Sequence, residues 1–367
     1  VLDKIVLQGP VGPEVLVNGK KYLYFGGSDY LGMSSREQVL AGARAAIERF
    51  GVSSAASRVS SGTNMLHLEL ESALAAFSAE EEAVIFSSGY LGMHVLLEGV
   101  AREGDHVLLQ EDAHSSVKEA VVLTGLPCDT FSLIDLEGLA AAVKNLAGAG
   151  GRLLVVGEGV SPLMGTIFPL PEVLERLEGV EALVVLDDAH SFGTLGKNGR
   201  GTAENFGLSG DQRLRRCATL SKAFGSFGGC IAGSQSLIDS IRERSMAYVC
   251  STPPPAPILG AALASVRLAA ERPQLLEKLR RNVAQLKNGL RGLGLTADST
   301  PVPIIPVCLD DAAQLRNIFA GLESDGIIAP LMSYPGSPAH GMIRVAVSSL
   351  HTELQIQSLL DSLARHL

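Results

Sequence analysis

Cysteine is sparse in this chain. The five cysteines, Cys128, Cys217, Cys230, Cys250 and Cys308, are scattered, odd in number and nowhere spaced CxxC. Neither a disulfide framework nor a structural zinc site is expected, and a reducing, cytoplasmic setting is. Positive charge is short as well: 30 lysines and arginines stand against 39 acidic residues, a net charge of -9. A nucleic-acid partner calls for a basic stripe, and none is present. The densest basic run, residues 213–216, is short and reads as a solvated loop. No uninterrupted apolar stretch reaches membrane-spanning length. No basic region leads into a long apolar run at the N-terminal end, so a secretory leader is not expected. Nucleotide signatures are missing too: neither GxGxxG nor GxxxxGK[ST] occurs.

What remains is the composition of a folded enzyme-sized chain. Hydrophobic residues make up 46% of 367 and charged residues 19%, enough for a sizeable core. The length suits one large α/β domain plus a smaller one. Near the start, two β-prone runs flank Asn18-Gly19, a tight-turn signal. Residues 36–50 and 66–77 carry helical spacing. Short apolar runs follow at 83–86, 107–109, 153–156, 182–186, 217–220 and 229–232. Unbroken runs suit strands buried on both faces, and helical segments lie between many of them. A mostly parallel sheet flanked by helices is therefore expected. A proline-rich break covers residues 252–255, helical patterns follow at 258–270 and 274–292, and strand candidates at 304–307 and 343–347 precede a last helix at 353–366. This predicts an arm over 1–25, a large domain over 26–272 and a smaller C-terminal α+β domain over 273–367.

In open α/β sheets, ligands sit beyond the carboxyl ends of the strands. The residues there form a chemically coherent set. Ser87-Ser88-Gly89-Tyr90-Leu91-Gly92 is a small-residue turn into a helix, compatible with a phosphate at backbone N–H groups and equally with an ordinary glycine turn. His114 and Glu158 follow two other runs. Asp187-Asp188-Ala189-His190 places an acid at a strand end, where it needs a cation or donors. A protonated pyridine nitrogen would serve, and so would a core arginine. Metal is poorly supported, since no second histidine stands at ligand spacing. Thr219-Leu220-Ser221-Lys222 puts an amine beside apolar residues. Burial there would lower its pKa and free it for Schiff-base chemistry, while Thr219 and Ser221 could donate to a phosphate.

In their order, these segments resemble the α-oxoamine synthases, fold-type I enzymes that use pyridoxal phosphate (PLP). Thr219-Leu220-Ser221-Lys222-Ala223-Phe224-Gly225 is similar to the family's cofactor-lysine motif, and residues 187–193 to its Asp-x-Ala-His-x-x-Gly. Asp29-Tyr30-Leu31-Gly32, Ser57-Arg58 with Gly62, Pro335-Gly336-Ser337-Pro338, Arg344 and His351-Thr352 occur in the family's order. The resemblance implies that Lys222 binds PLP as a Schiff base and then moves the Cα proton. It implies that Asp187 pairs with the ring nitrogen, His190 meets the phenolic oxygen and His114 stacks on the ring. It gives the phosphate to the backbone of Gly89 and Tyr90 with Thr219, and adds Ser88, Ser221 and Glu158 to the cofactor side. Thr252 would reach the phosphate of a neighbouring subunit, implying a homodimer with shared sites. Arg344 would bind the substrate carboxylate, with Ser28 and Arg58 also on the substrate side.

The implied reaction condenses a small amino acid (glycine, alanine or serine) with an acyl thioester, an acyl-CoA or acyl carrier protein, losing CO₂ to give an α-aminoketone. Two departures stand near the substrate. Ser28 replaces the family's asparagine, and the second serine of its Glu-Ser-Val-Phe-Ser falls on Pro162, which has no donor. They keep open a second class on the same fold, a carbanion or C–C lyase enzyme using a non-thioester electrophile. A non-catalytic subunit is the third reading, against which the joint presence of Lys222, Asp187 and His114 argues.

Overall fold

Asn18 and Gly19 take positive φ angles of 50° and 75°, the twist a two-residue hairpin turn requires. They join β1 (Glu14–Val17) to β2 (Lys20–Tyr24). In this computed structural model, which describes residues 5–146, 151–333 and 337–367, eleven further strands follow. Seven of them form the main sheet: β3 (Glu82–Phe86), β4 (His106–Gln110), β5 (Cys128–Phe131), β6 (Leu153–Glu158), β7 (Ala182–Asp187), β8 (Leu214–Thr219) and β9 (Gly229–Gly233). The other four are β10 (Ile304–Val307), β11 (Ile327–Ile328), β12 (Leu331–Met332) and β13 (Met342–Ala346).

The main sheet runs β3-β9-β8-β7-β6-β4-β5. Only β9 is antiparallel to its neighbours. Every residue of β6 and β7 is buried, as their unbroken apolar runs require of strands covered on both faces. Helices Gly92–Val100, Ser115–Thr124 and Gln235–Arg244 pack one face. Helices Leu136–Leu146 and Leu170–Arg176 pack the other.

The arm does not stand apart. Strand β2 pairs in parallel with β11, Leu23 opposite Ile327, so the N-terminal hairpin completes a sheet with the C-terminal part. A second small antiparallel sheet, β10-β13-β12, has β13 at its centre. The expected break near Pro273 falls between helices Ala256–Glu271 and Gln274–Gly292.

The structure departs from expectation at the basic run. Residues 214–216 lie in β8 rather than in a solvated loop. Arg216 is ion-paired to Glu80 at 3.2 Å and to Asp188 at 3.3 Å, and Arg213 to Asp211 at 2.7 Å. Acids pair with Arg213 and Arg216 while Arg215 donates to the Gln212 and Leu214 carbonyls, and the partners from Glu80 and Asp188 arrive only on folding.

Candidate active site

Strands β3, β4, β6, β7 and β8 run the same way, so their carboxyl ends share one edge of the sheet. The candidate residues gather there. Lys222 sits in a turn just beyond β8, its carbonyl accepting the Gly225 N–H at 2.9 Å. The next two side chains, Ala223 and Phe224, are buried, and the Phe224 carbonyl accepts the Ser265 hydroxyl at 2.6 Å. These contacts pin the turn and hold the lysine half-buried at the sheet edge. Burial lowers the pKa of the Lys222 amine, while Asp187 and Glu158 pull it back up.

Asp187 and Glu158 end adjacent strands and are register partners. Asp187 Oδ1 accepts the Ala189 N–H at 2.9 Å. Burial raises the Asp187 carboxyl pKa, and the positive charge of Lys222 opposes that shift. Glu158 is pushed up to about 8, by burial first and by the charge of Asp187 second. Glu158 thus holds its proton near neutral pH, beside a second buried acid whose pKa is raised as well. Glu158 Oε2 also accepts the His114 N–H at 3.1 Å, and the Glu158 N–H donates to Gln110 Oε1 at 3.0 Å. Gln110 was not singled out from the sequence, although it directly follows the apolar run of β4.

His114 caps helix Ser115–Thr124, its Nδ1 accepting the Ser116 N–H at 3.2 Å. Its ring meets Tyr90 edge-on, centroids 6.3 Å apart. Tyr90 in turn donates its hydroxyl to Glu119 at 2.6 Å. The small-residue turn is built for close approach. A Cβ on Gly89 would lie 2.3 Å from Thr219 Oγ1, so only glycine brings this backbone so near β8. Ser88 Oγ accepts the Tyr90 N–H at 3.2 Å, and Thr219 and Ser221 share a hydroxyl contact of 2.8 Å. Hydroxyls and a helix start converge as a phosphate needs.

The second acid of the Asp187-Asp188 pair serves the scaffold. Asp188 accepts the Thr202 hydroxyl at 2.7 Å and meets Arg216 at 3.3 Å. His190 is buried and kept neutral, its pKa lowered well below the ordinary histidine value, by burial first and then by the charges of Lys222, Arg344 and His114. Its Nδ1 is 2.7 Å from the Tyr30 hydroxyl. Arg344 projects from β13 and donates its Nε to the Pro162 carbonyl at 2.7 Å. Pro162, which lacks a side-chain donor, contributes its backbone acceptor.

Other candidates fall elsewhere. In place of the substrate contact expected for Arg58, the structure shows a buried two-pronged ion pair with Glu71, at 2.8 and 2.9 Å, and a bond to Thr63 at 3.1 Å. The same Glu71 accepts the Ile85 N–H at 3.2 Å, so Glu71 ties helix Met65–Ser78 to β3 and Arg58 neutralises it there. Ser28 is half-buried and its carbonyl accepts the Tyr30 N–H at 2.8 Å. Thr252 is exposed. Pro335 and Gly336 lie outside the described residues. Among the described residues no helix is long and apolar enough to cross a membrane, and no group of three His, Cys, Asp or Glu side chains is placed to hold a metal.

The donor set fits PLP: an amine of lowered pKa, a carboxylate beside it, a neutral imidazole and a glycine-backed hydroxyl cradle. Comparisons with known proteins agree. The model of the aminotransferase class I and II family matches residues 20–363. An 8-amino-7-oxononanoate synthase of Cellvibrio japonicus is 34% identical over 98% of this chain and 90% of its own length. The 8-amino-7-oxononanoate synthase 1 of Bacillus subtilis is 32% identical over 97% of this chain and 90% of its own. A serine palmitoyltransferase from S. paucimobilis, solved with a bound PLP-myriocin aldimine, superposes with a TM-score of 0.92 at 29% identity, covering 99% of this chain and 92% of that one.

Proposed function

Because the chain belongs to the α-oxoamine synthases of the aminotransferase class I and II family, and is a PLP-dependent acyltransferase, we propose that it condenses glycine, alanine or serine with an acyl-CoA or acyl carrier protein thioester. The coarser reaction is the family's: an amino acid and an acyl thioester are joined with loss of CO₂. The charges of Asp187 and Arg344 acting on buried Lys222 support a substrate that carries an amine and a carboxylate.

When bound, the cofactor supplies an electron sink for a carbanion at the amino-acid Cα. The chain's own residues do the rest. Lys222, its amine pKa lowered by burial, would hold the cofactor and would then accept the Cα proton. Asp187 would face the ring nitrogen, while Glu158, protonated near pH 7, would not compete for that cation. His190 would offer a neutral imidazole to the ring's phenolic oxygen, and His114 would cover the ring face. Thr219, Ser221, Ser88 and the backbone at Gly89 and Tyr90 would hold the phosphate. Arg344, held through Nε, matches a carboxylate with its terminal edge. In the same reading the enzyme is a homodimer in which Thr252 reaches the partner's phosphate, and the large and small domains divide near Pro273.

Free thiol release tests this. Purified protein with PLP is offered each of the three amino acids with a panel of acyl-CoA and acyl carrier protein thioesters. Thiol and CO₂ released together, and lost in Lys222→Ala, support the reading. No thiol from any donor, while the amino acids still alter the visible cofactor band, overturns it in favour of a non-thioester electrophile.

A further inference from the structure

Tyr30 lies in the arm-side loop and is 1% exposed. Its position is fixed from several sides. Asp29 Oδ1 accepts the Met33 N–H at 2.7 Å and its Oδ2 accepts the Ser34 N–H at 3.0 Å, which folds residues 29–34 into a tight loop. Gly32 takes φ +62°, and a Cβ there would lie 2.3 Å from Leu350 Cγ. The Tyr30 carbonyl accepts the Ser349 N–H at 2.7 Å. So placed, the hydroxyl stands 2.7 Å from His190 Nδ1, with the positive charge of Arg344 acting on it.

We propose that Tyr30 is a positioning residue that fixes the tautomer of His190, keeping Nδ1 an acceptor and leaving the proton on Nε2. Donor counting gives the direction. A guanidinium only donates, so Arg344 offers the phenol proton no acceptor. A phenol has one proton, and a cation at its oxygen turns that proton away, toward the imidazole. Burial raises the Tyr30 pKa and outweighs the lowering by Arg344, so the phenol keeps its proton. A neutral imidazole carries one N–H; with Nδ1 accepting, it must be on Nε2. Set by the charge of Arg344, the pair Tyr30–His190 thereby has one polarity, and its far end is a donor. It also links the carboxylate-binding side of the proposed site to the cofactor side. The inference rests on the proposed role of His190 at the phenolic oxygen.

The test is a double-variant cycle read by spectroscopy. The pH midpoint of the visible cofactor band is measured for the parent holoenzyme, Tyr30→Phe, His190→Asn and the double variant. Apart from Tyr30 itself, the charged and titratable groups facing His190, namely Lys222, Arg344 and His114, are the same in all four. Tyr30→Phe should shift the midpoint by about half to one pH unit, the worth of one hydrogen bond between neutral groups. The shift should vanish in the His190→Asn background. No shift, or an equal shift in both backgrounds, overturns the proposal. Should Tyr30→Phe fail to fold, nitrogen-15 spectra of histidine-labelled parent protein decide: protonated Nε2 with acceptor Nδ1 supports it, and the reverse overturns it. If instead the parent shows no Lys222-dependent band, the proposed function itself fails, a separate outcome.

Discussion

Glu158 and Asp187 end neighbouring strands as register partners, two carboxyls brought to one buried edge. The pair dictates a pH response. Glu158 has a folded pKa of about 8 against an ordinary 4.5. Between those values the folded chain holds a proton that the unfolded chain has released, so stability falls as pH rises. Melting temperatures of the cofactor-free protein should decline across that window, and Glu158→Gln should flatten the decline. An unchanged slope in the variant would refute the assignment.

Gly89→Ala should weaken cofactor binding. The new Cβ would meet Thr219 Oγ1 at 2.3 Å, and the backbone must retreat from the hydroxyl cradle. Overpacking of this kind costs about 1–3 kcal/mol, or roughly tenfold and more in affinity. Titration with PLP followed by fluorescence measures it. Parent-like affinity would show that the cradle does not hold the phosphate.

Arg58→Met should destabilise the fold by about 3–5 kcal/mol, because Glu71 is left charged and buried without its partner. Adding Glu71→Leu should recover most of the loss, as judged by urea unfolding. The KM for the amino acid should stay within about twofold, since the loss is one of folding rather than of substrate binding. A large KM rise in a well-folded variant would restore Arg58 to the substrate side.

His351 predicts an acid limit. Its ring stacks on Phe25 at 4.3 Å, its Nδ1 accepts the Ser348 N–H at 2.9 Å, and its Nε2 lies 3.0 Å from the Tyr24 carbonyl. Burial lowers its pKa to about 4 from 6.5. The unfolded chain binds the proton first, so stability is lost as pH falls through that range. His67, also lowered to about 4, shares the window. His351→Gln should therefore lessen the acid loss in denaturant midpoints between pH 6.5 and 4 without abolishing it. A midpoint curve identical to the parent's would contradict this.

The parallel core was legible because β6 and β7 are unbroken apolar runs, and chemistry follows strand ends in such folds. Lys222, Asp187 and His190 could be found on that rule and on motif order. Strand β5 could not. It is a four-residue edge strand, Cys128–Phe131, with three exposed residues and no apolar pattern. Arg58 misled because its partner, thirteen positions away, becomes visible only when a helix docks on a strand. Tyr30 and the Pro162 carbonyl were hidden for a different reason. Both face Arg344, which folding brings from the far end of the chain.

The pairing of β2 with β11 also sets a schedule. Leu23 leaves the ribosome roughly 300 residues before Ile327, a wait of about 15–60 s at common elongation rates. For that time the open edge of the hairpin lacks its strand, and Tyr30 lacks the Ser349 bond that seats it. The reactive lysine is synthesised long before the loop that orders its histidine neighbour can close. Competence therefore arrives last, with the C-terminal strands, and a nascent or truncated chain ending before them would hold the amine without the means to use it.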